Sequence, residues 1–196
     1  MTDHLPVPSE SALARAVHEI VDFVDAEGWD RPPTLFALVP TALLAAAEPT
    51  LSDQLDDGHE YTPVVQELLP DDVEGGSPAL EEFLSTTSWS DQVAGCALVQ
   101  EIVVLPPGAE SDLDEASAPQ LTDRHRTTAR EAALRRPDGR EARLITGVLR
   151  DGPSLSLLEL RPTDDDPFAG AELRTYDELA PGVVAALYAT LDNRPD

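Results

Sequence analysis

A nearly unbroken β-branched run, Cys96-Ala97-Leu98-Val99-Gln100-Glu101-Ile102-Val103-Val104-Leu105, constrains this chain more than any other feature. Side chains alternate between the two faces of a strand, so a strand that is apolar at successive positions must be covered on both. The run therefore predicts a central strand in a layered fold, interrupted only by Gln100 and Glu101. A chain of 196 residues is long enough to supply both covers.

The flanking segments supply the covers. From Ser9 to Gly28 the apolar residues Leu13, Val17, Ile20, Val21 and Val24 share one helical face, while Arg15, Glu19, Asp22 and Asp25 lie away from it. Ser9 or Ser11 can cap the start of this helix and Gly28 can stop it. Leu35 to Val39 reads as a buried strand, followed by short helices at 41–47 and 50–55, the second opened by Pro49. Tyr61 to Leu69 is a strand in which Pro63 must sit at the start or on an edge. Ser77-Pro78 pairs a cap with a first helical residue, for a helix running to about Ser85.

Arg124 to Arg136 is expected to be helical. Arg143 to Arg150 and Ser154 to Arg161 flank Asp151-Gly152-Pro153, a hairpin signature. The apolar phase slips between Leu157 and Leu158, which suggests a bulge. Asp164-Asp165-Asp166 reads as a turn, Thr175 to Glu178 has capping-box spacing, and Pro181 opens a last helix carrying Val183, Val184, Leu187 and Leu191. Together these elements make an α+β chain: a central, mostly antiparallel sheet of about five strands with N- and C-terminal helices packed on it. Residues 1–8 read as a flexible leader and 9–193 as one domain, with a mobile, proline-rich acidic loop at about 106–122.

Charge narrows the classes of partner. The chain carries 38 acids against 13 basic residues, a net −25, and every one of the basic residues is arginine. Such a field repels phosphate backbones and anionic headgroups, so neither nucleic acid nor a membrane surface is an expected partner. A GC-rich genome or a salt-loving host would account for the lysine-free composition. Cys96 is the only cysteine, which rules out an internal disulfide. The N-terminus lacks a signal-peptide pattern, and the longest apolar stretches, such as Ala42 to Ala47, are far below the about 20 residues of a membrane span. A cytoplasmic protein is expected.

No stretch completes a motif for catalysis, a metal or a nucleotide, and no cofactor is expected. His18-Glu19-Ile20-Val21-Asp22 approaches the zinc-protease pattern, but Asp22 stands where the second histidine belongs. Asp53 to Gly58 resembles a calcium loop, yet Leu55 occupies the third ligand position and Val64 the twelfth. Ser77 lacks the final glycine of a nucleophile elbow and is better explained as a cap. Cys96 opens an apolar strand, where burial raises a thiol's pKa, and His59 and His125 stand in unrelated contexts. Lysine chemistry is impossible.

Two features suggest contacts instead. Residues 124–143 hold seven arginines, among them Arg124, Arg126 and Arg130, against Glu131, Asp138 and Glu141. No aromatic residue interleaves with them, so pairing with the protein's own acids or with a neighbouring subunit is expected rather than nucleic-acid binding. Trp29 and Trp89 each stand beside turn residues, either as exposed contact anchors or as core residues closing helix ends.

The segment Ala26-Glu27-Gly28-Trp29-Asp30, the strand at 35–39, the long block at 79–110 around Cys96 and the run at 150–161 make the chain resemble an actinobacterial family of uncharacterised proteins. That resemblance implies a small cytoplasmic protein in a GC-rich host and no particular activity. The function expected is a non-enzymatic interaction protein, such as an adaptor or chaperone-like factor. The alternative is a small-ligand binder or enzyme using carboxylates such as Glu101 in a pocket on the sheet. A deep pocket with Glu101 and other polar groups converging would favour the alternative; a flat surface with an exposed Trp29 or Trp89 would favour the partner.

Overall fold

The computed structural model describes residues 7–55, 58–66, 69–70, 73–104, 140–162, 173–175 and 179–193. Helix α1 (Glu10–Glu27) begins where Ser9 Oγ accepts the Ala12 N–H at 3.1 Å. It ends at Gly28, whose φ of 86° lies in the region that favours glycine and whose N–H donates to the Val24 carbonyl. The five large apolar residues of its inner face, Leu13, Val17, Ile20, Val21 and Val24, are all buried. Each such side chain contributes about 1.5–3 kcal/mol on leaving water, which outweighs the weak tendency of an isolated helix to form.

The described strands are β1 (Thr34–Pro40), β2 (Tyr61–Val65), β3 (Gly95–Val104), β4 (Arg140–Leu149), β5 (Ser154–Leu160) and β6 (Leu173–Arg174). They form one six-stranded sheet in the order β2-β1-β3-β4-β5-β6, with every pairing antiparallel. The count exceeds the expected five because β6 adds a two-residue edge. Strand β3 lies between β1 and β4, and its side chains enter two separate cores. Ala97 and Val99 meet α1, while Cys96 and Leu98 meet the opposite cover. Pro63 is tolerated because β2 is an outermost strand.

The opposite cover consists of α3 (Pro78–Thr86) and α4 (Pro181–Asp192), which bury Leu80, Leu84, Leu187 and Leu191 against the sheet. Ser77 Oγ caps α3 by accepting the Leu80 N–H at 3.2 Å. Between β1 and β2 the chain forms α2 (Thr41–Ala47) and a 3-10 turn over Pro49–Gln54. Gln100, the first polar break in β3, is buried, and its side-chain oxygen accepts the Gly76 N–H at 2.8 Å, docking the loop before α3 onto the strand.

Two expectations change. The β4–β5 ladder runs without interruption from Ala142↔Leu160 to Val148↔Ser154, so no bulge separates Leu157 from Leu158. Both leucines are buried because each faces a covered side of the sheet: Leu157 joins the α1 core and Leu158 packs with Ala142, Leu144 and Leu160. The last helix opens at Pro181 as expected, with Ala180 at its N-cap position, while the Thr175 hydroxyl donates to the Ser156 carbonyl and the rest of the capping-box segment, 176–178, lies outside the described residues. Trp89 is a core residue, only 7% exposed, and its indole N–H donates to Thr190 Oγ1 at 2.9 Å. The loop at 106–122, the helix expected over Arg124 to Arg136, the turn at 164–166 and most of the leader lie outside the described residues.

Candidate functional site

The α1-facing side of the sheet changes character along β3, β4 and β5. Val99, Ile145 and Leu157 form an apolar row across the three strands. Two residues along each strand, on the same face, the row becomes Glu101, Arg143 and Glu159. The last turn of α1 and the turn after it close over this charged row.

Arg143 is its centre, only 2% exposed. Its Nη1 donates to Glu159 Oε2 at 2.8 Å and to Asp25 Oδ1 at 2.9 Å, and its Nη2 donates to the Gly28 carbonyl at 2.8 Å. The guanidinium lies 4.3 Å from the centre of the Trp29 ring, close enough for cation–π attraction. One strand therefore holds the C-terminal end of α1 through charge, a helix-end carbonyl and an aromatic face together. Glu159 is itself sealed from water. Its burial, and the neighbouring Asp25 carboxyl, push its pKa up to about 7 against the opposing pull of Arg143.

A second cluster continues outward. Arg161 donates to both carboxylate oxygens of Asp30, at 2.7 and 3.0 Å, and to Glu141 Oε2 at 2.9 Å. Its guanidinium is 5.5 Å from the centre of the same Trp29 ring. The hydrogen bond from Arg161 holds the Asp30 carboxyl below its ordinary value, and the Asp30 contact raises Arg161 in turn. Asp30 has a φ of 63°, so the turn Gly28-Trp29-Asp30 carries two residues in left-handed backbone to present these contacts.

Beside the first cluster is a pocket of about 420 Å³. Phe23, Val24, Val65 and Val99 give it apolar walls, and Glu27, Arg31, Thr34, Glu101 and Arg143 contribute polar groups. Phe23 meets Phe36 edge-on, with ring centres 5.8 Å apart, and it remains 44% exposed at the rim with Val65 at 42%. Glu27 and Arg31 form an ion pair with each other. Glu101 is half-buried, and one of its oxygens accepts the Arg31 N–H at 3.2 Å, the one hydrogen bond it makes among the described residues. Its cross-strand neighbour Arg143 is turned to Asp25, Glu159 and Gly28, which leaves acceptor capacity on Glu101 toward the pocket.

Of the contact residues expected from sequence, Trp29 lies at this site, partly buried and in contact with the guanidinium groups of Arg143 and Arg161. Trp89 lies in the other core, and Arg124, Arg126 and Arg130 are outside the described residues. Glu101 does line a pocket. Asp25, Asp30, Glu159 and Arg161 were not singled out by motif, although Arg143 and Glu159 stand at equal distance from Asp151 on the two arms of a recognisable hairpin. That spacing alone places them side by side.

Other suspected sites resolve differently. His18 and Asp22 are both exposed, while Glu19 pairs with His59 Nδ1 at 3.0 Å. Cys96 is fully buried near Thr190, and burial pushes its thiol up to about 11. Among the described residues no group of three or more His, Cys, Asp or Glu is arranged to hold a metal ion, and no helix is long and apolar enough to cross a membrane. The family model described as "PPA1309-like protein" matches residues 13–192. No curated protein and no solved structure matches the chain.

Proposed function

The chain belongs to the PPA1309-like protein family, and from that premise we propose that it is a small-ligand-binding protein whose site is the pocket at the end of α1. The observation that supports this is the pairing of an apolar-walled cavity with a carboxylate, Glu101, that still has room to accept hydrogen bonds. A ligand suited to it carries a cationic or N–H-donating head for Glu101 and a hydrocarbon or aromatic body for Phe23 and Val65. The net charge of −25 favours the approach of a cation and opposes that of an anion.

The test is a calorimetric screen of small aromatic and aliphatic amines, with matched carboxylates as controls. Binding of an amine by the wild type, weakened at least tenfold in Glu101→Gln and abolished by Val65→Trp, supports the assignment. Equal binding by all three proteins sinks it.

A protein partner is the second possibility, favoured by the exposed Phe23 and Val65 at the rim. An adaptor or chaperone-like role would use this rim for a basic, apolar-tipped partner, steered by the acidic surface. Phe23→Asp would then abolish complex formation while Glu101→Gln would leave it nearly intact. A cytoplasmic setting in an actinobacterial, GC-rich host fits a lysine-free chain with one buried free thiol.

A further inference from the structure

Resting on the ligand-binding assignment, we propose that the pocket exchanges a proton for a cation, the proton being held by the cluster of Asp25, Arg143 and Glu159, which meets the pocket wall through Arg143. The geometry sets one positive charge against two negative ones. Asp25 and Glu159 both accept from Nη1 of the same guanidinium, and that guanidinium is sealed from solvent together with Glu159. A surplus negative charge in such a place is costly, and the least costly remedy is one proton taken up by the two carboxylates. Glu159 is the carboxylate sealed from water, whereas 41% of the Asp25 side chain is exposed, so the proton is placed on Glu159. The upward shift of the Glu159 carboxyl agrees with this.

The surrounding charges reinforce it. From β3, Glu101 faces Arg143 across the strands and adds a third carboxylate. From β4 and the end of β5, Glu141 and Arg161 form the neighbouring cluster with Asp30, again two acids on one base. Glu27 and Arg31, at the end of α1, cancel each other. The described surroundings therefore hold more acid than base. Arg143 belongs both to this cluster and to the pocket wall, so charge on one is felt in the other. A cation beside Glu101 supplies what the proton supplied, and the Glu159 proton leaves to solvent. By reciprocity, losing the proton tightens cation binding by the same factor that cation binding weakens the proton's hold.

The test has one arm without ligand and one with it. Trp29 stacks on Arg143, so its emission reports the cluster, while Trp89 is buried in the other core. Fluorescence of the full chain is followed from pH 5 to 9. The expected result is a single transition near neutral pH, absent in Glu159→Gln and in Trp29→Phe. In Asp25→Asn, which retains the buried pair and guards against a Glu159 variant that fails to fold, the midpoint moves to lower pH. No transition in the wild type, or one unchanged in Asp25→Asn, overturns the proton site whatever the ligand does.

The second arm measures the affinity of benzyltrimethylammonium, whose charge is fixed across this range. Affinity is expected to rise about tenfold from pH 5 to 8 in the wild type, to stay flat in Glu159→Gln and to rise at lower pH in Asp25→Asn, a coupling of ordinary size. Affinity independent of pH overturns the exchange while leaving the pocket's role intact. No binding at any pH, with the fluorescence transition present, overturns both the exchange and the ligand assignment.

Discussion

Arg143 Nη1 and Glu159 Oε2 meet at 2.8 Å on adjacent strands, with 2% and 1% of their side chains exposed. Opposite charges this well buried need each other more than the fold needs either. Arg143→Met is therefore expected to lose about 3–5 kcal/mol of stability, because it strands Glu159 and leaves the Gly28 carbonyl without its donor. Adding Glu159→Leu is expected to recover most of that loss, since an apolar pair needs no solvation at all. Urea denaturation of the single and double variants measures both effects. A double variant no more stable than Arg143→Met would show that the pair itself, rather than its completeness, holds the sheet together.

Stability should also depend on pH through Glu159. Its pKa in the folded protein, about 7, stands above the ordinary 4.5. The folded state holds the proton more tightly, so this group's stabilising contribution is full below about 4.5 and is lost as pH rises toward 7. Glu159→Gln removes the titration. The expected outcome is that wild-type stability, measured relative to this variant, declines between those two values and is level above them. Urea midpoints at constant high salt test it, the salt suppressing the general repulsion of an acidic chain.

Much of the fold was legible because periodicity alone determines it. The spacing of Leu13, Val17, Ile20, Val21 and Val24 located α1 and its buried face, and the two-sided run from Cys96 located the central strand. Leu157-Leu158 misled because an alternation rule assumes one wet face, whereas both faces of this sheet are covered. The site was only partly legible. Arg143 and Glu159 lie 16 residues apart across a hairpin that sequence revealed, so the turn contains their register, although no motif singled Glu159 out. Asp25 reaches the same guanidinium from 118 residues away. Nothing local marks that contact: Asp25 on a helical wheel is one more acid on the outer face. Glu101, a polar break in an apolar strand, was the pocket residue that sequence marked as a candidate ligand contact.

Cys96 provides a check on the architecture. Its thiol is buried and pushed up to about 11, so at neutral pH the reactive thiolate is scarce and unreachable. Under native conditions a disulfide reagent should react with it only as fast as the chain opens, and in urea it should react as fast as a free thiol. Thr190→Val removes a hydroxyl 3.6 Å from the sulfur and the partner of the Trp89 N–H. That variant is expected to lose about 1–3 kcal/mol and to label faster in proportion, because the indole donor is left buried and unpaired. Fast labelling of the native wild type would contradict the placement of β3 at the centre of the sheet.

Gly147 on β4 leaves room for the inner face of α1 to seat on the sheet. A methyl group there would lie 2.8 Å from Val17 Cγ2 and 3.2 Å from Leu13 Cδ1, both on the helix's inner face. Gly147→Ala is therefore expected to push α1 outward and cost about 1–3 kcal/mol. Val17→Ala alone leaves a small cavity and should cost about 2 kcal/mol. Combined, the new methyl group occupies part of the space that Val17 vacates. The double variant should then be at least about 1 kcal/mol more stable than the two separate losses imply, the signature of residues in direct contact. Because α1 carries Asp25 and Gly28 to Arg143, the single variant Gly147→Ala should also alter Trp29 emission, and the double variant should restore it. Additive losses with unchanged fluorescence would mean that the helix is not seated on the sheet through this contact.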